Sequence, residues 1–150
     1  MTLYRHFGSK DDLVCETLRI KSERVAAFWS DLETRFPNNP QARLHGWIKA
    51  QTDCLSGDRF GCDIANAAVE LKEQGHPAYA VIEEIKLAQR NRLEDLCREA
   101  GTKEPDLLAD TLTMLLEGAM ISRMTTGNEG PASRFLRACE AAIASSLQPA

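Results

Sequence analysis

Glycine and proline are scarce in this sequence, with 9 and 6 copies among 150 residues. Their scarcity excludes a loop-rich or low-complexity chain. Hydrophobic residues make up 43% of the sequence and charged residues 27%, which is typical of a globular protein and not of a disordered one. The 18 basic and 22 acidic residues give a net charge of −4, which excludes a protein that is basic throughout and coats nucleic acid. The length predicts one compact domain, or one domain with a fragment of another.

The sequence also lacks closely spaced metal-binding or disulfide-forming residues. Its 5 cysteines are odd in number and contain no C-x-x-C pair, and its 3 histidines stand far apart. We therefore expect reduced thiols, no metal site and no cofactor. The N-terminus has no apolar segment of the kind found in signal peptides, and no apolar run reaches membrane-spanning length. These absences predict a cytoplasmic protein with no membrane partner.

Strand patterns are almost absent, whereas apolar residues recur at helical spacing between clear stop points. Ser9 with Asp12 resembles a capping box, and Asn39 before Pro40 is typical of a second helix start. The pattern predicts an all-α fold of about six helices with short connections. The predicted helices run from Ser9 to Phe36, Asn39 to about Gly57, Cys62 to Gln74, Pro77 to Gly101, Glu104 to Gly127, and from Gly130 onward.

The fifth predicted helix is apolar nearly all round, so it has to be covered on more than one side. The small residues Gly118 and Ser122 lie four apart and would let another helix approach closely. We expect helices five and six of two chains to form a four-helix interface in a homodimer; the alternative is that this surface is internal core. The predicted interface residues are Leu112, Leu115, Gly118, Ala119, Ser122, Phe135, Cys139 and Ile143.

Residues 2–13 carry the most specific pattern, T-L-Y-R-H-F-G-S-K-D-D-L. Aromatic and basic groups that precede the amino end of a helix suit contacts to phosphates, because that end presents free N–H groups and a positive dipole. The string resembles the junction between the recognition helix and the next helix in TetR-family transcriptional repressors, where the pattern is T-x-Y-x-H-F-x-S-K-E-x-L. Asp11 stands in place of the usual glutamate.

The rest of the chain resembles the same family. Three segments are similar, in order, to a common form of the family's ligand-binding domain. They are Gly61-Cys62, then Asn66-Ala67-Ala68 with Glu70, and then His76-Pro77. The resemblance implies a TetR-like ligand-binding and dimerisation domain over residues 9–150, after a remnant of the recognition helix at 1–8. It also implies that Thr2, Tyr4, His6 and Lys10 contact operator DNA. Because the family's first two helices would precede residue 1, we expect this chain alone not to bind DNA specifically.

The resemblance further implies a small hydrophobic or amphipathic effector bound among the helices. Polar residues within apolar helices, together with large apolar side chains, are the candidates for its pocket. Each has a structural alternative: tryptophans and methionines are commonly core residues, and Glu117 would pair with an arginine such as Arg90 or Arg123. Glu117 is the strongest candidate because a buried carboxylate is costly without a partner. The full set is Trp29, Trp47, Cys62, Asn66, Glu70, Arg90, Met114, Glu117 and Met120.

Two functions from different classes fit these observations. The first is a homodimeric TetR-like regulator, a repressor whose effector is coupled to DNA release. The alternative is a dimeric helical module that binds a small molecule and has no DNA role of its own. An enzyme is disfavoured because the sequence contains no Gly-rich phosphate loop, nucleophile elbow or His-bearing acid–base motif.

Overall fold

We describe the protein from a computed structural model that covers residues 8–57, 62–71 and 75–147. Over these ranges the chain is all-α, as predicted, and contains no strand beyond one isolated bridge between Thr102 and Leu147. A 3₁₀ turn over Pro131–Arg134 precedes the last helix. The α-helices are α1 Lys10–Arg35, α2 Pro40–Ser56, α3 Asp63–Glu70, α4 Ala78–Glu99, α5 Pro105–Thr126 and α6 Phe135–Ser146.

Local side-chain chemistry sets the first two helix starts. The Ser9 hydroxyl accepts a hydrogen bond from the Asp12 N–H at 3.1 Å, and the Asn39 side-chain oxygen accepts one from the Ala42 N–H at 3.0 Å. Both caps satisfy donors that an open helix end leaves unpaired. The starts predicted from Ser9 and Asn39 are therefore confirmed.

The third helix is shorter than predicted. It ends at Glu70 instead of continuing toward Gln74, and Leu71 already has an extended backbone, with φ −72° and ψ 102°. The Tyr79 hydroxyl, from the first turn of α4, donates a hydrogen bond to the Leu71 carbonyl. This contact gives a partner to a carbonyl that the end of the helix leaves unpaired. Residues 72–74 lie outside the described ranges.

The buried side chains form two clusters, and α1 contributes to both. The larger cluster joins the second half of α1 to α2, the end of α4, α5 and α6, and it includes the fully buried Leu32, Ile48 and Leu112. The smaller one joins Cys15 and Leu18 of α1 to α3 and the first turns of α4. At 26 residues, α1 is about 39 Å long, so it connects the amino end of the described chain to the main core.

The predicted dimer interface needs correction. Five of its residues are buried inside this single chain, because α5 and α6 pack against each other and against α2, which together cover those faces. The sequence pattern marks α5 as apolar nearly all round but does not tell which of its sides the neighbouring helices cover. Leu115 and Ser122 are half-buried, and Gly118 is exposed. The five buried residues are Leu112, Ala119, Phe135, Cys139 and Ile143.

A different face of α5 is uncovered. Leu107, Met114 and Ile121 follow one another at heptad spacing and are 55%, 64% and 56% exposed. Gly118 lies on the same side, and a Cβ added there would meet no atom within 4 Å in the described chain. This apolar face, hereafter the α5 outer face, is the surface that a second chain would have to cover.

Candidate functional site

A cavity of about 380 Å³ lies among α1, α2, α4 and α5, within the size range of small-molecule sites. Its apolar wall consists of Val25, Phe28, Trp29, Trp47, Ile64, Leu93, Leu116 and Met120. Its polar groups include Arg24, Gln51, Cys54, Cys62, Lys86, Gln89, Arg90, Thr113 and Glu117. This combination of a mostly apolar wall with a few charged groups is typical of a site for an amphipathic molecule.

A second hollow of about 250 Å³ adjoins the first and shares part of its wall. Arg24, Gln51, Cys54 and Cys62 line both. The second hollow adds one charged group from each of α1, the start of α3 and the end of α5, namely Lys21, Asp63 and Arg123. The site is therefore an elongated space with an apolar end and a more polar end.

Helical periodicity brings these residues together. Each of the four main helices supplies one stripe at spacings of three and four, which places its members on one side of the helix. The stripes are 24, 25, 28 and 29 on α1, 47, 50, 51 and 54 on α2, 86, 89, 90 and 93 on α4, and 113, 116, 117 and 120 on α5. The four long helices thus pack into the core over part of their length and enclose the cavity over another part.

Six predicted pocket residues line this cavity, namely Trp29, Trp47, Cys62, Arg90, Glu117 and Met120. Their contact with an effector stays a prediction. The other three do not line it, and the prediction is corrected for them. Only the start of α3 reaches the space, so Asn66 and Glu70 fall beyond it, and Met114 points outward on the α5 outer face.

The carboxylate of Glu117 has a partner inside the site. Lys86 Nζ lies 2.7 Å from Glu117 Oε1, and both residues line the cavity. The sequence suggested an arginine for this role, but the helix positions place a lysine of α4 opposite α5. Glu117 is therefore neutralised locally instead of standing as a free negative charge in the wall.

Arg90 is also held by carboxylates. Its Nε donates to Asp110 Oδ1 at 2.7 Å, and its guanidinium pairs with Glu94 one turn further along α4. The hydrogen bond from Arg90 lowers the pKa of Asp110, and the same bond raises the pKa of Arg90. Arg90 thus joins α4 to α5 and stiffens that corner of the cavity.

Trp29 is fixed in the opposite wall. The Arg92 guanidinium lies over its ring, 5.5 Å from the centroid, and Arg92 also donates to Glu33 at 3.1 Å. Such a cation–π contact orients the indole before any ligand enters. The apolar end of the site is therefore preformed.

Sequence reasoning missed four of the polar wall residues: Arg24, Gln51, Lys86 and Gln89. Their residue types are those of a solvated helix face, so composition alone gave no reason to select them. A usable clue was their spacing, because Arg24 precedes Phe28 by four residues and Gln51 follows Trp47 by four. Residues in such a stripe share the environment of the aromatic side chain beside them.

The predicted DNA-contacting residues are mostly untested. Thr2, Tyr4 and His6 lie outside the described residues. Lys10 is the first residue of α1 and is exposed beside the Ser9 cap. Its contact with DNA stays a prediction.

All five cysteines are free thiols, in two different settings. Cys97 and Cys139 are fully buried, and this burial raises the pKa of each thiol to about 12. Cys54 and Cys62 line the site instead. Over the described ranges, no group of three or more histidine, cysteine or acidic side chains is placed to hold a metal ion, and no helix is long and apolar enough to cross a membrane.

No protein-family model and no curated protein sequence matches this chain. The fold does have a counterpart among solved structures. It matches the crystal structure of SCO4454, a TetR-family transcriptional regulator from Streptomyces coelicolor, with a TM-score of 0.87 and 23% sequence identity. The match covers 98% of this chain and 78% of the other. The chain therefore has a TetR-like all-α fold.

Proposed function

We propose that this protein is a TetR-like transcriptional repressor that works as a homodimer and releases DNA when a small amphipathic effector enters the cavity. One observation carries the proposal most directly. The helix that follows the TetR-like sequence motif, α1, also forms a wall of the cavity through Arg24, Val25, Phe28 and Trp29. The proposed DNA end and the proposed effector site thus share one continuous helix.

The contacts of α1 support a coupling between the two ends. Near its start, Cys15 and Leu18 pack against α3 and the first turns of α4, and further along Trp29 and Leu32 belong to the main core. A ligand between α1 and α5 that favours one position of α1 changes the direction in which residues before Lys10 are presented. Such a ligand changes the DNA affinity only to the extent that it binds one position of α1 more tightly than the other. By linkage, bound DNA then changes the ligand affinity by the same factor.

The α5 outer face supports the dimer. A stripe of large apolar side chains at heptad spacing favours packing against another helix, and Gly118 in its middle permits close approach. We place the second copy against Leu107, Met114 and Ile121, with the half-buried Leu115 and Ser122 at the edge. We also assign Leu136 of α6, which is 38% exposed, to this interface.

Two measurements test the proposal. The protein isolated from its host is used to select DNA from a random pool, and its thermal stability is scanned against small amphipathic molecules. We expect one recurrent DNA sequence and at least one stabilising molecule. Leu116→Trp, which fills the cavity, should abolish the stabilisation, whereas Leu87→Trp, at an exposed position of α4, should preserve it.

The outcomes separate the alternatives. Ligand stabilisation without any selected DNA would favour a binding module that has no DNA role of its own. Selection of a DNA sequence without any stabilising ligand would contradict the claim that an effector binds in the cavity.

A further inference from the structure

The walls of the site carry more positive than negative side chains, although the whole chain has a net charge of −4. In the larger cavity Arg24, Lys86 and Arg90 face one carboxylate, that of Glu117. In the adjoining hollow Lys21, Arg24 and Arg123 face one carboxylate, that of Asp63. Five of the 18 basic residues thus line the two hollows against two carboxylates, and this local excess of positive charge favours a negatively charged ligand.

Most of these cations already have partners. Lys86 pairs with Glu117 and Lys21 with Asp63, while Arg90 is held by Asp110 and Glu94. Arg123 donates to the Gly57 carbonyl and to the Asn128 side chain. Ion pairs of this kind position the walls but leave little charge for a ligand.

Arg24 differs from the others. It is exposed, makes no hydrogen bond or ion pair within the described ranges, and lines both parts of the site. Val25 and Phe28, its neighbours on the cavity side of α1, lead directly to the apolar wall around Trp29. A guanidinium without a protein partner, next to aromatic side chains, is suited to bind the planar carboxylate of an organic acid. The apolar part of that acid would then lie along the wall around Trp29.

We propose that the site binds an amphipathic organic acid, an aromatic or aliphatic carboxylate, with Arg24 as the residue that binds the carboxylate. This inference rests on the proposed effector-binding function and adds the charge and orientation of the effector. The apolar body lies between Trp29, Trp47 and Leu116, and the carboxylate lies at the junction of the two hollows. A cationic ligand is disfavoured, since the Glu117 carboxylate is already paired with Lys86 at 2.7 Å.

The Lys86–Glu117 pair provides a second, independent expectation. Replacing Glu117 by glutamine removes the carboxylate in the wall and releases the Lys86 ammonium from its partner. Both changes make the cavity more positive. An anionic ligand should then bind more tightly, and a cationic ligand should bind less tightly than to the wild-type protein.

Three probes with the same ring and different charges test the inference: 2-naphthoate, 2-naphthamide and 2-naphthylmethylammonium. Isothermal titration calorimetry measures the Kd of each for the full chain. We expect 2-naphthoate to bind most tightly, and Arg24→Gln to weaken its binding about tenfold while changing 2-naphthamide binding less than about twofold. Arg19→Gln is the matched control, because it removes one exposed positive charge from the same helix outside the site. It should leave all three values unchanged.

The contrary results are distinct. Three results would overturn the preference for an acid but not the effector site itself. They are tightest binding of the ammonium probe, equal binding of all three probes, and an equal effect of Arg24→Gln on all three. The absence of binding by every probe would overturn this inference, whereas the effector part of the proposed function is decided separately by the scan of thermal stability against small amphipathic molecules.

Discussion

His76 Nε2 lies 3.3 Å from Oδ1 of Asp11, and this contact joins the segment that leads into α4 to the first turn of α1. The His76 Nδ1 accepts a hydrogen bond from the Ala78 N–H at 3.1 Å, and the other ring nitrogen, Nε2, is the one that faces Asp11. His76 is buried, with 9% exposure. One imidazole thus caps α4 and holds the end of α1 nearest the proposed DNA contacts.

We expect His76→Ala to lower the free energy of unfolding by about 1–3 kcal/mol, since it leaves the Ala78 N–H and the buried end of α4 without a partner. Urea denaturation measures the effect. Asp11→Ala removes only the partly exposed acceptor and should have the smaller effect. A His76→Ala protein as stable as wild type would show that this contact does not hold the two helices together.

The α5 outer face carries the second prediction. We expect the wild-type chain to sediment as a dimer at micromolar concentration and Met114→Glu to sediment as a folded monomer, because a carboxylate cannot be buried cheaply in an apolar interface. Leu87→Glu, at a residue of α4 that is 52% exposed, is the control and should remain dimeric. A Met114→Glu dimer would place the interface elsewhere.

The same reasoning distinguishes core from surface within α5 and α6. Ile143 is 3% exposed inside one chain, so Ile143→Glu should unfold the protein and not merely dissociate it. Circular dichroism separates these results. A folded Ile143→Glu monomer would return this residue to the interface that its apolar character suggested.

The thiols should react at very different rates. Cys54 is exposed at the site and should be alkylated by iodoacetamide first, whereas Cys97 and Cys139 should stay unmodified until the protein unfolds. Their burial and their pKa of about 12 both keep them protonated and shielded. Mass spectrometry of a time course identifies the modified residues. Early labelling of Cys97 or Cys139 would contradict the described core.

Alkaline pH should lower the free energy of unfolding through Cys97 and Cys139. Their pKa is about 12 in the folded state against an ordinary value of 9.0, so above pH 9 the unfolded chain loses protons that the folded chain keeps. Stability then falls with rising pH, by at most about 1.4 kcal/mol per pH unit for each thiol. A Cys97→Ala/Cys139→Ala double variant should show a shallower decline between pH 9 and pH 10.5 than wild type. Identical slopes would exclude the two thiols as the cause.

Helix starts were predictable because a cap depends on residues close in sequence. Ser9 and Asn39 each bond to an N–H three residues later, so the pattern contains the whole interaction. The early end of α3 was not predictable in this way. The partner of the Leu71 carbonyl there is Tyr79, a residue of the next helix that meets Leu71 only after the chain has folded.

The site was predictable in part, for a similar reason. Trp29 and Trp47 stand out as large apolar side chains wherever the helices pack. Arg24 and Lys86 face the cavity only because of how α1, α4 and α5 are arranged, and the sequence alone does not distinguish that environment from solvent. The burial of five predicted interface residues was not predictable for the same reason, since the faces of α5 that α2, α4 and α6 cover are set by tertiary packing.

The central claim is that a ligand in the cavity controls DNA affinity through α1. Its most direct test is the Kd of the isolated protein for its selected DNA, measured by fluorescence anisotropy with and without saturating 2-naphthoate. We expect the ligand to weaken DNA binding at least about fivefold, and saturating DNA to weaken 2-naphthoate binding by the same factor. A DNA Kd that is unchanged while 2-naphthoate occupies the cavity would contradict the account.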